Sequence, residues 1–389
     1  MKKILSGIFI VLSCSVFPAL AQSSVAVFTS GTDGHKSYRI PAIIGLRDGK
    51  LLVFCEGRVN NAGDFGDINI VLKRSADGGN TWSSIETVVD YDSLQAGNPA
   101  PVVDLTDPAY PGGRIFLFYN TGNNHESEVR KGNGLREVWY ITSTDEGDTW
   151  SSAVNITMDV HRPKQTQSNP AYNFPEDWRS YANTPGHAMQ FASGRYKGRI
   201  FVAANHSAGD PQPAFKDYAS HGYYTDDHGK TFQLAKTVDV PGSNEATATD
   251  LADGRLMMNM RNQSGDIRSR IVALSHTGGA TWDTVYFDHR LPDPVCEGSI
   301  LTIGAKNGKH ILAFCNAADS ANRDNLTLRI SFDEGETWKK SIVVDKSTPG
   351  NEKDHAAYSD IVKVNKREIG VVYESQNYSR IVFQRIKWR

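Results

Sequence analysis

SADGGNTW, residues 75–82, recurs four more times on one skeleton: STDEGDTW from Ser143, TDDHGKTF from Thr225, SHTGGATW from Ser275 and SFDEGETW from Ser331. Each copy follows an alternating run such as NIVLKR, RIVAL or LTLRI, which reads as a β-strand. The skeleton S-x-D-x-G-x-T-W has a mechanical sense. The Asp side chain accepts backbone N–H groups inside a tight turn, the Gly supplies a positive φ, and the aromatic folds back on its sheet. The fourth copy carries Thr277 where Asp is expected, so its turn should be weaker.

Outward from these turns lies a second repeat. Apolar runs begin at Leu51 (LLVFCEG), Ile115 (IFLFYN), Ile200 (IFVAAN), Leu256 (LMMNMR), Ile311 (ILAFCN) and Ile369 (IGVVYE), most of them after a Gly-Lys or Gly-Arg turn. Units of four short strands at a period of roughly 55–85 residues mean a β-propeller. Six runs and five turns predict an all-β, six-bladed β-propeller occupying residues 23–389 as one domain. The last unit lacks the turn motif, and the C-terminal SRIVFQRIKW is expected to pair with the N-terminal VAVFTS and close the ring.

Residues 1–22, MKKILSGIFIVLSCSVFPALAQ, read as a secretory signal, with Lys2 and Lys3 ahead of an apolar stretch and an A-x-A cleavage site at Ala19–Ala21. The apolar stretch is too short to span a membrane. Export to the periplasm or outside the cell is the expectation, and Ser13-Cys14 offers lipid anchoring at Cys14 as the weaker alternative. Without the two leader lysines the chain has 40 basic and 44 acidic residues, which argues against a nucleic-acid partner. Cys55, Cys296 and Cys315 remain, an odd number with two inside strand-like runs, and read as buried thiols. No zinc or calcium ligand set, phosphate loop or serine-triad elbow is present, so no metal and no cofactor is expected.

In a propeller the first strand of each unit lines the axis and all enter from one pole. Those strands are entered at Arg39, Asn98, His187, Glu245, Glu297 and Tyr358. The connections between second and third strands return to the same pole and are expected to carry Asp64, Arg261, Arg323 and Glu374. The five turn motifs fall at the opposite pole. Topology thus separates a chemical face from a structural one.

YRIP around Arg39, with the turn motifs (called Asp boxes), resembles the bacterial exo-α-sialidases, or neuraminidases. NEATATDLADGRLMMNMRN, NRDNLTLRISFDEGETW and YSDIVKV…VVYE extend the resemblance over essentially the whole chain behind the leader. The resemblance implies a six-bladed propeller and an arginine triad, Arg39, Arg261 and Arg323, gripping the carboxylate of sialic acid. Planar guanidinium forks suit that group, and one charge pair at about 4 Å is worth roughly 4 kcal/mol at an effective dielectric of ~20. Glu374 matches the glutamate that holds Arg39. Tyr358 matches the nucleophile and Glu245 its base. A sialoside bears its carboxylate on the anomeric carbon, so an anionic nucleophile would lose roughly 4 kcal/mol, about a thousandfold in rate; a neutral phenol avoids this but needs a base.

Asp64, in GRVNNAGDFGDIN, matches the acid/base residue, with Asp67 as its rival. Arg58 matches an arginine meeting the sugar's hydroxyls, and Asn98 is placed on the same side. A surface salt bridge is the plain alternative for Arg58. His187 and Glu297 read either as binding the sugar's glycerol-side hydroxyls or as caps of the axis. The stretch 161–191, rich in Pro, Asn and aromatics, reads either as a sugar-contacting loop or as a solvated one. The implied activity is retaining hydrolysis of terminal sialic acid from glycoproteins, glycolipids or oligosaccharides. A trans-sialidase, or a sialic-acid-binding propeller without catalysis, are the alternatives.

Overall fold

The apolar runs of the second repeat are buried over almost their whole length: all eight residues of Leu51–Arg58 are buried, as are all seven of Leu256–Asn262. Strict alternation fails there because each sheet is packed on both faces by its neighbours, so both sides of the strand need apolar cover. The computed structural model describes residues 24–389, and the expected leader therefore lies outside the described residues. The protein is an all-β propeller.

Its strands form five sheets among the described residues, where six separate ones were expected. Four are self-contained antiparallel units. The fifth has eight strands, because the meander Ser37–Val89 and the meander Gln95–Asn155 are joined by a single parallel bridge, Ile68 to Gln95. The innermost strands touch in a closed cycle, and apolar clusters fill the seams between successive units. Closure is by the chain ends, as expected: Val25–Thr29 pairs antiparallel with Arg380–Lys387.

The five turn motifs join third to fourth strands at one pole. In the first, Asp77 Oδ1 accepts the N–H groups of Asn80 (3.0 Å) and Thr81 (2.9 Å), and Oδ2 accepts the Thr81 hydroxyl (2.7 Å). Gly79 has φ +92°, and a Cβ there would come within 2.0 Å of the Phe383 ring, so the position needs glycine twice over. The ring of each motif was expected to fold back on its own sheet, yet three of the five meet an aromatic of the preceding unit: Trp82 packs on Phe383, Trp150 on Phe54 and Trp282 on Phe201. Phe232 meets both Phe118 of the preceding unit and Tyr223 of its own, and Trp338 meets Phe314 of its own. The turn is a clasp between neighbours.

The opposite pole is irregular. The inner strands break register at Arg39/Ala42, Gly97/Ala100, Trp178/Tyr181, Ser243/Ala246 and Ala356/Ser359. Bulges of this kind re-aim side chains. Arg39, Asn98, Glu245 and Tyr358 all lie within them.

Candidate active site

Each bulge turns one polar side chain toward the axis, and the backbone there is strained. Ile40 has φ +59° and Asn98 φ +51°; for a β-branched residue the left-handed region costs about 1–3 kcal/mol. The strain is held by Glu374. Its fully buried carboxylate accepts Arg39 Nε at 2.6 Å and the Ile40 N–H at 2.9 Å through Oε1, and the Tyr358 N–H at 3.2 Å through Oε2. One glutamate thus fixes an arginine and the strand bearing the phenol.

The Tyr358 hydroxyl donates to Glu245 Oε1 at 2.6 Å and accepts from Arg261 Nη1 at 2.7 Å. Arg261 Nη1 also bonds Glu245 Oε2 at 2.6 Å. Burial pushes the Tyr358 hydroxyl well above the ordinary phenol value and Glu245 adds to this, while Arg261 and Arg323 pull against them. The guanidinium carbons of Arg39 and Arg323 each lie 5.5 Å from the centre of the Tyr358 ring. The structure therefore brings all three arginines around one phenol.

They are not equally satisfied. Arg39 is paired with Glu374 and Arg261 with Glu245, but Arg323 forms no ion pair with a carboxylate among the described residues; its partners are the Tyr378 hydroxyl at 3.1 Å and the Val295 carbonyl at 3.1 Å. The buried Nε of Arg261 has no hydrogen-bond partner. A cation left with donors in hand at the mouth of a pocket is a site waiting for an anion.

Asp64 stands on the Val59–Asp67 connection, its side chain 78% exposed and Oδ1 accepting from Arg58 Nη1 at 2.7 Å. The protein walls around it strip some water and raise its carboxyl even though its tip is open to solvent, but Arg58, Arg39 and Arg323 together outweigh this and hold it below the usual range. Asp64 lines the pocket and its rival Asp67 does not. Arg58 makes no surface salt bridge: it is 2% exposed, between the buried Glu56 (2.7 Å) and Asp64. Glu56 also accepts the Asn98 N–H at 3.0 Å, tying the two flanks together. Arg261 and Glu374 correct the topological expectation in one respect, since they end their strands and do not sit in connections.

His187 and Glu297 stay out of this pocket. His187 Nδ1 pairs with Asp360 Oδ1 at 2.6 Å, and Glu297 accepts the Ser359 N–H at 2.9 Å, so both lace neighbouring inner strands. His187 does not enter a single inner strand, however; it lies between Trp178–Asn183 and Met189–Gln190. Of the 161–191 stretch, Ser180, Tyr181 and Ala182 reach the pocket. Cys55, Cys296 and Cys315 are buried free thiols. Asp104, Asp107 and His228 cluster at metal-ligand range, but Asp104 is taken by Gln190, Thr106 and His228, and Asp107 by Arg114.

The sequence reading missed Tyr378 and Glu56. Tyr378 lays its ring 4.1 Å from the Arg39 guanidinium carbon while bonding Arg323, so it braces two cations at once. It closes three consecutive left-handed residues, Gln376, Asn377 and Tyr378, in a stretch (SQNYSR) that carries ordinary turn chemistry and no repeat signal. Glu56 is hidden inside an apolar strand, where only its charge marks it.

Fold and site define a class: a propeller whose axial mouth presents three convergent guanidiniums, a glutamate-coupled phenol and an outlying carboxylate around a pocket of about 290 Å³. A family model described as "BNR repeat-like domain" matches residues 49–372. The chain is 31% identical to a sialidase of Micromonospora viridifaciens across 95% of its own length and 54% of that protein's, and 27% identical to a sialidase of Bacteroides fragilis across 93% and 64%. In structure it is similar to the Hadza microbial sialidase Hz136 (TM-score 0.77, 25% identity, 94% of this chain and 68% of that one). It shares the fold of the intramolecular trans-sialidase from Ruminococcus gnavus (TM-score 0.72, 17% identity, 95% and 98%). The chain belongs to the BNR-repeat family, within its bacterial sialidase group. It spans roughly half to two thirds of the two curated relatives just named. No helix among the described residues is long and apolar enough to cross a membrane.

Proposed function

We propose that the protein is a retaining exo-α-sialidase that releases terminal sialic acid from glycoproteins, glycolipids or oligosaccharides through a tyrosyl-glycosyl intermediate. The observation that carries this is the Glu245–Tyr358–Arg261 hydrogen-bonded trio with Arg39 and Arg323 on either side. Arg39, Arg261 and Arg323 take the substrate carboxylate, which places the anomeric carbon over the Tyr358 oxygen. Glu245 accepts the phenol proton as the oxygen attacks, and Arg261, already 2.7 Å away, stabilises the charge that develops there. As the glycosidic bond breaks, Asp64 gives its proton to the leaving oxygen. In the second half-reaction Asp64 takes a proton from water, water attacks the anomeric carbon, and Tyr358 departs with the proton returned by Glu245.

The three arginines that hold Asp64 ionised in the free protein include two that the substrate's carboxylate would neutralise. Binding then raises the carboxyl of Asp64 just when it must donate. Two glycines in its connection, Gly63 and Gly66, give the segment freedom to leave Arg58 and reach the leaving oxygen. Glu374 and Tyr378 hold the cations in register, and Arg58 and Asn98 meet the sugar's hydroxyl side.

The propeller reads as six-bladed. The two meanders of the eight-stranded sheet stack face to face, with Leu52, Phe54 and Leu72 of one against Ile115, Leu117 and Ile141 of the other, as separate blades do. The single bridge between them joins the first residues of two strands, Ile68 and Gln95, and does not run along their length. One propeller domain over 23–389 behind an export leader 1–22, acting outside the cytoplasm, fits this arrangement. The test is NMR of the products over time on a defined sialyl-lactose. Free sialic acid appearing first as the α-anomer is expected. An anhydro sugar or a transferred product would overturn hydrolysis, and the absence of any product would overturn catalysis.

A further inference from the structure

In the six-membered ring of a sialic acid, whose anomeric carbon is C2, the carbon opposite the anomeric one is C5. With the anomeric carboxylate among Arg39, Arg261 and Arg323, the C5 substituent crosses the pocket toward the wall facing Tyr358. That wall has an unusual character. Glu126 Oε1 accepts Ser180 Oγ at 2.6 Å and also the Tyr218 hydroxyl, while Oε2 accepts Arg136 Nη2 at 3.3 Å. Arg136 in turn donates to Gln95 Oε1. Gln95, Arg136, Ser180 and Tyr218 are all buried, whereas the Glu126 side chain is 42% exposed, and all five line the same pocket as Tyr358.

A methyl group set against this wall would take water from a carboxylate and a guanidinium and return no hydrogen bond. A hydroxyl there donates to Glu126 and accepts from Arg136. Sites that hydrogen-bond a substrate hydroxyl reject the analogue lacking it, strongly when fully buried. Here the half-open carboxylate keeps some water, so the discrimination is moderate.

Building on the sialidase reading above, we propose that the Glu126–Arg136 wall selects sialic-acid-type sugars whose C5 substituent is an N-glycolyl group, with its terminal hydroxyl, over the N-acetyl form. The wall supplies one acceptor and one donor to that terminal hydroxyl. Ser180 and Tyr218 hold the Glu126 carboxylate in place for it.

The test uses the full chain and three 4-methylumbelliferyl α-glycosides that differ only at C5: N-acetyl, N-glycolyl and hydroxyl. The N-glycolyl glycoside is expected to exceed the N-acetyl one in kcat/KM by about tenfold or more, and Glu126→Leu to shrink that ratio to about threefold or less. Should Glu126→Leu fail to fold because Arg136 loses its partner, Glu126→Gln, which keeps shape and loses charge, must still lower the ratio. An N-acetyl glycoside cleaved as well as the N-glycolyl one by the unaltered protein would overturn the proposal and leave the sialidase reading standing. An unchanged ratio in a folded Glu126 variant would overturn the role of Glu126. Cleavage of none of the three would overturn the sialidase reading itself, and the proposal with it.

Discussion

The two poles of the propeller are built from the same strands and settle their polar groups in opposite ways. At the turn pole the motif closes on itself. Ser75 bonds Asp77 and the Gly79 N–H, and Asp77 collects Asn80 and Thr81. At the other pole groups are left open: Arg323 without a carboxylate, Arg261 Nε without a partner, and Ile40 in a left-handed conformation. Local self-sufficiency makes the first pole a repeated part, stable wherever it is placed. Incomplete satisfaction makes the second a binding surface, with its deficits met by the ligand.

That contrast breaks most sharply at Tyr358. Tyr358→Phe keeps the ring and the packing but removes the attacking oxygen. The expected loss in kcat is about 10⁴-fold or more, with binding of a non-cleavable glycal analogue little changed by calorimetry. Retained turnover would move the nucleophile elsewhere. Next in size is Arg323→Gln. The open cation contributes to binding while holding at rest only two neutral acceptors, the Tyr378 hydroxyl and the Val295 carbonyl, so kcat/KM should fall by about 10²–10³-fold, while the melting temperature stays within about 2 °C. A large drop in melting temperature would mean that Arg323 is structural.

Acid should dissolve the two poles in different windows. His161, His206 and His221 sit behind the ligand pole with Trp178, Tyr181 and Arg162; burial depresses all three below the ordinary histidine value, His221 to about 3. They stay neutral in the fold, whereas the unfolded chain takes up protons below about pH 6.5. Their contribution is therefore complete above that pH and is lost as pH falls toward 3. At the turn pole the N–H and hydroxyl groups of Thr81 and Thr149 hold Asp77 and Asp145 at about 2, so that contribution is complete above about pH 4 and is lost between 4 and 2. Hydrogen exchange should show 178–183 losing protection at higher pH than 75–82. The reverse order would contradict the assignment.

Smaller effects sharpen the picture. Tyr378→Phe keeps the ring over Arg39 and removes the hydroxyl from Arg323, so KM should rise about tenfold with kcat nearly unchanged. Equal losses in both would show that Tyr378 acts on the chemistry. Thr277→Asp tests the far pole. Thr277 Oγ1 already accepts the Thr281 N–H at 2.8 Å, so the fourth turn is formed with one oxygen in place of two. The substitution should raise the melting temperature by about 2 °C without altering kcat/KM. A large loss of turnover would mean that the poles are reversed.

What the sequence shows follows the same division. The turn pole was legible because its interactions are local: Ser, Asp, Gly, Thr and an aromatic within eight residues fix one another. Even there the direction of packing was hidden, since Trp82 reaches Phe383, some 300 residues away in the chain. At the ligand pole the charged residues stood out against apolar strands and a family resemblance ordered them. Their bracing did not show. Tyr378 resembles any loop tyrosine, Glu56 any strand-end charge, and Glu126 meets Ser180 and Tyr218 only after two blades are placed side by side. Nor did the register breaks, which arise from strand pairing and leave no periodic trace.

The most direct measurement is to trap the intermediate. A 3-fluorosialosyl fluoride combines a good leaving group with a fluorine that slows both steps, so a tyrosine-bound sugar should accumulate. Peptide mass spectrometry is expected to find one added sugar on Tyr358 in the unaltered protein and none in Tyr358→Phe. An adduct on Asp64 or Glu245, or turnover to product with no adduct and a β-anomer released first, would contradict the account.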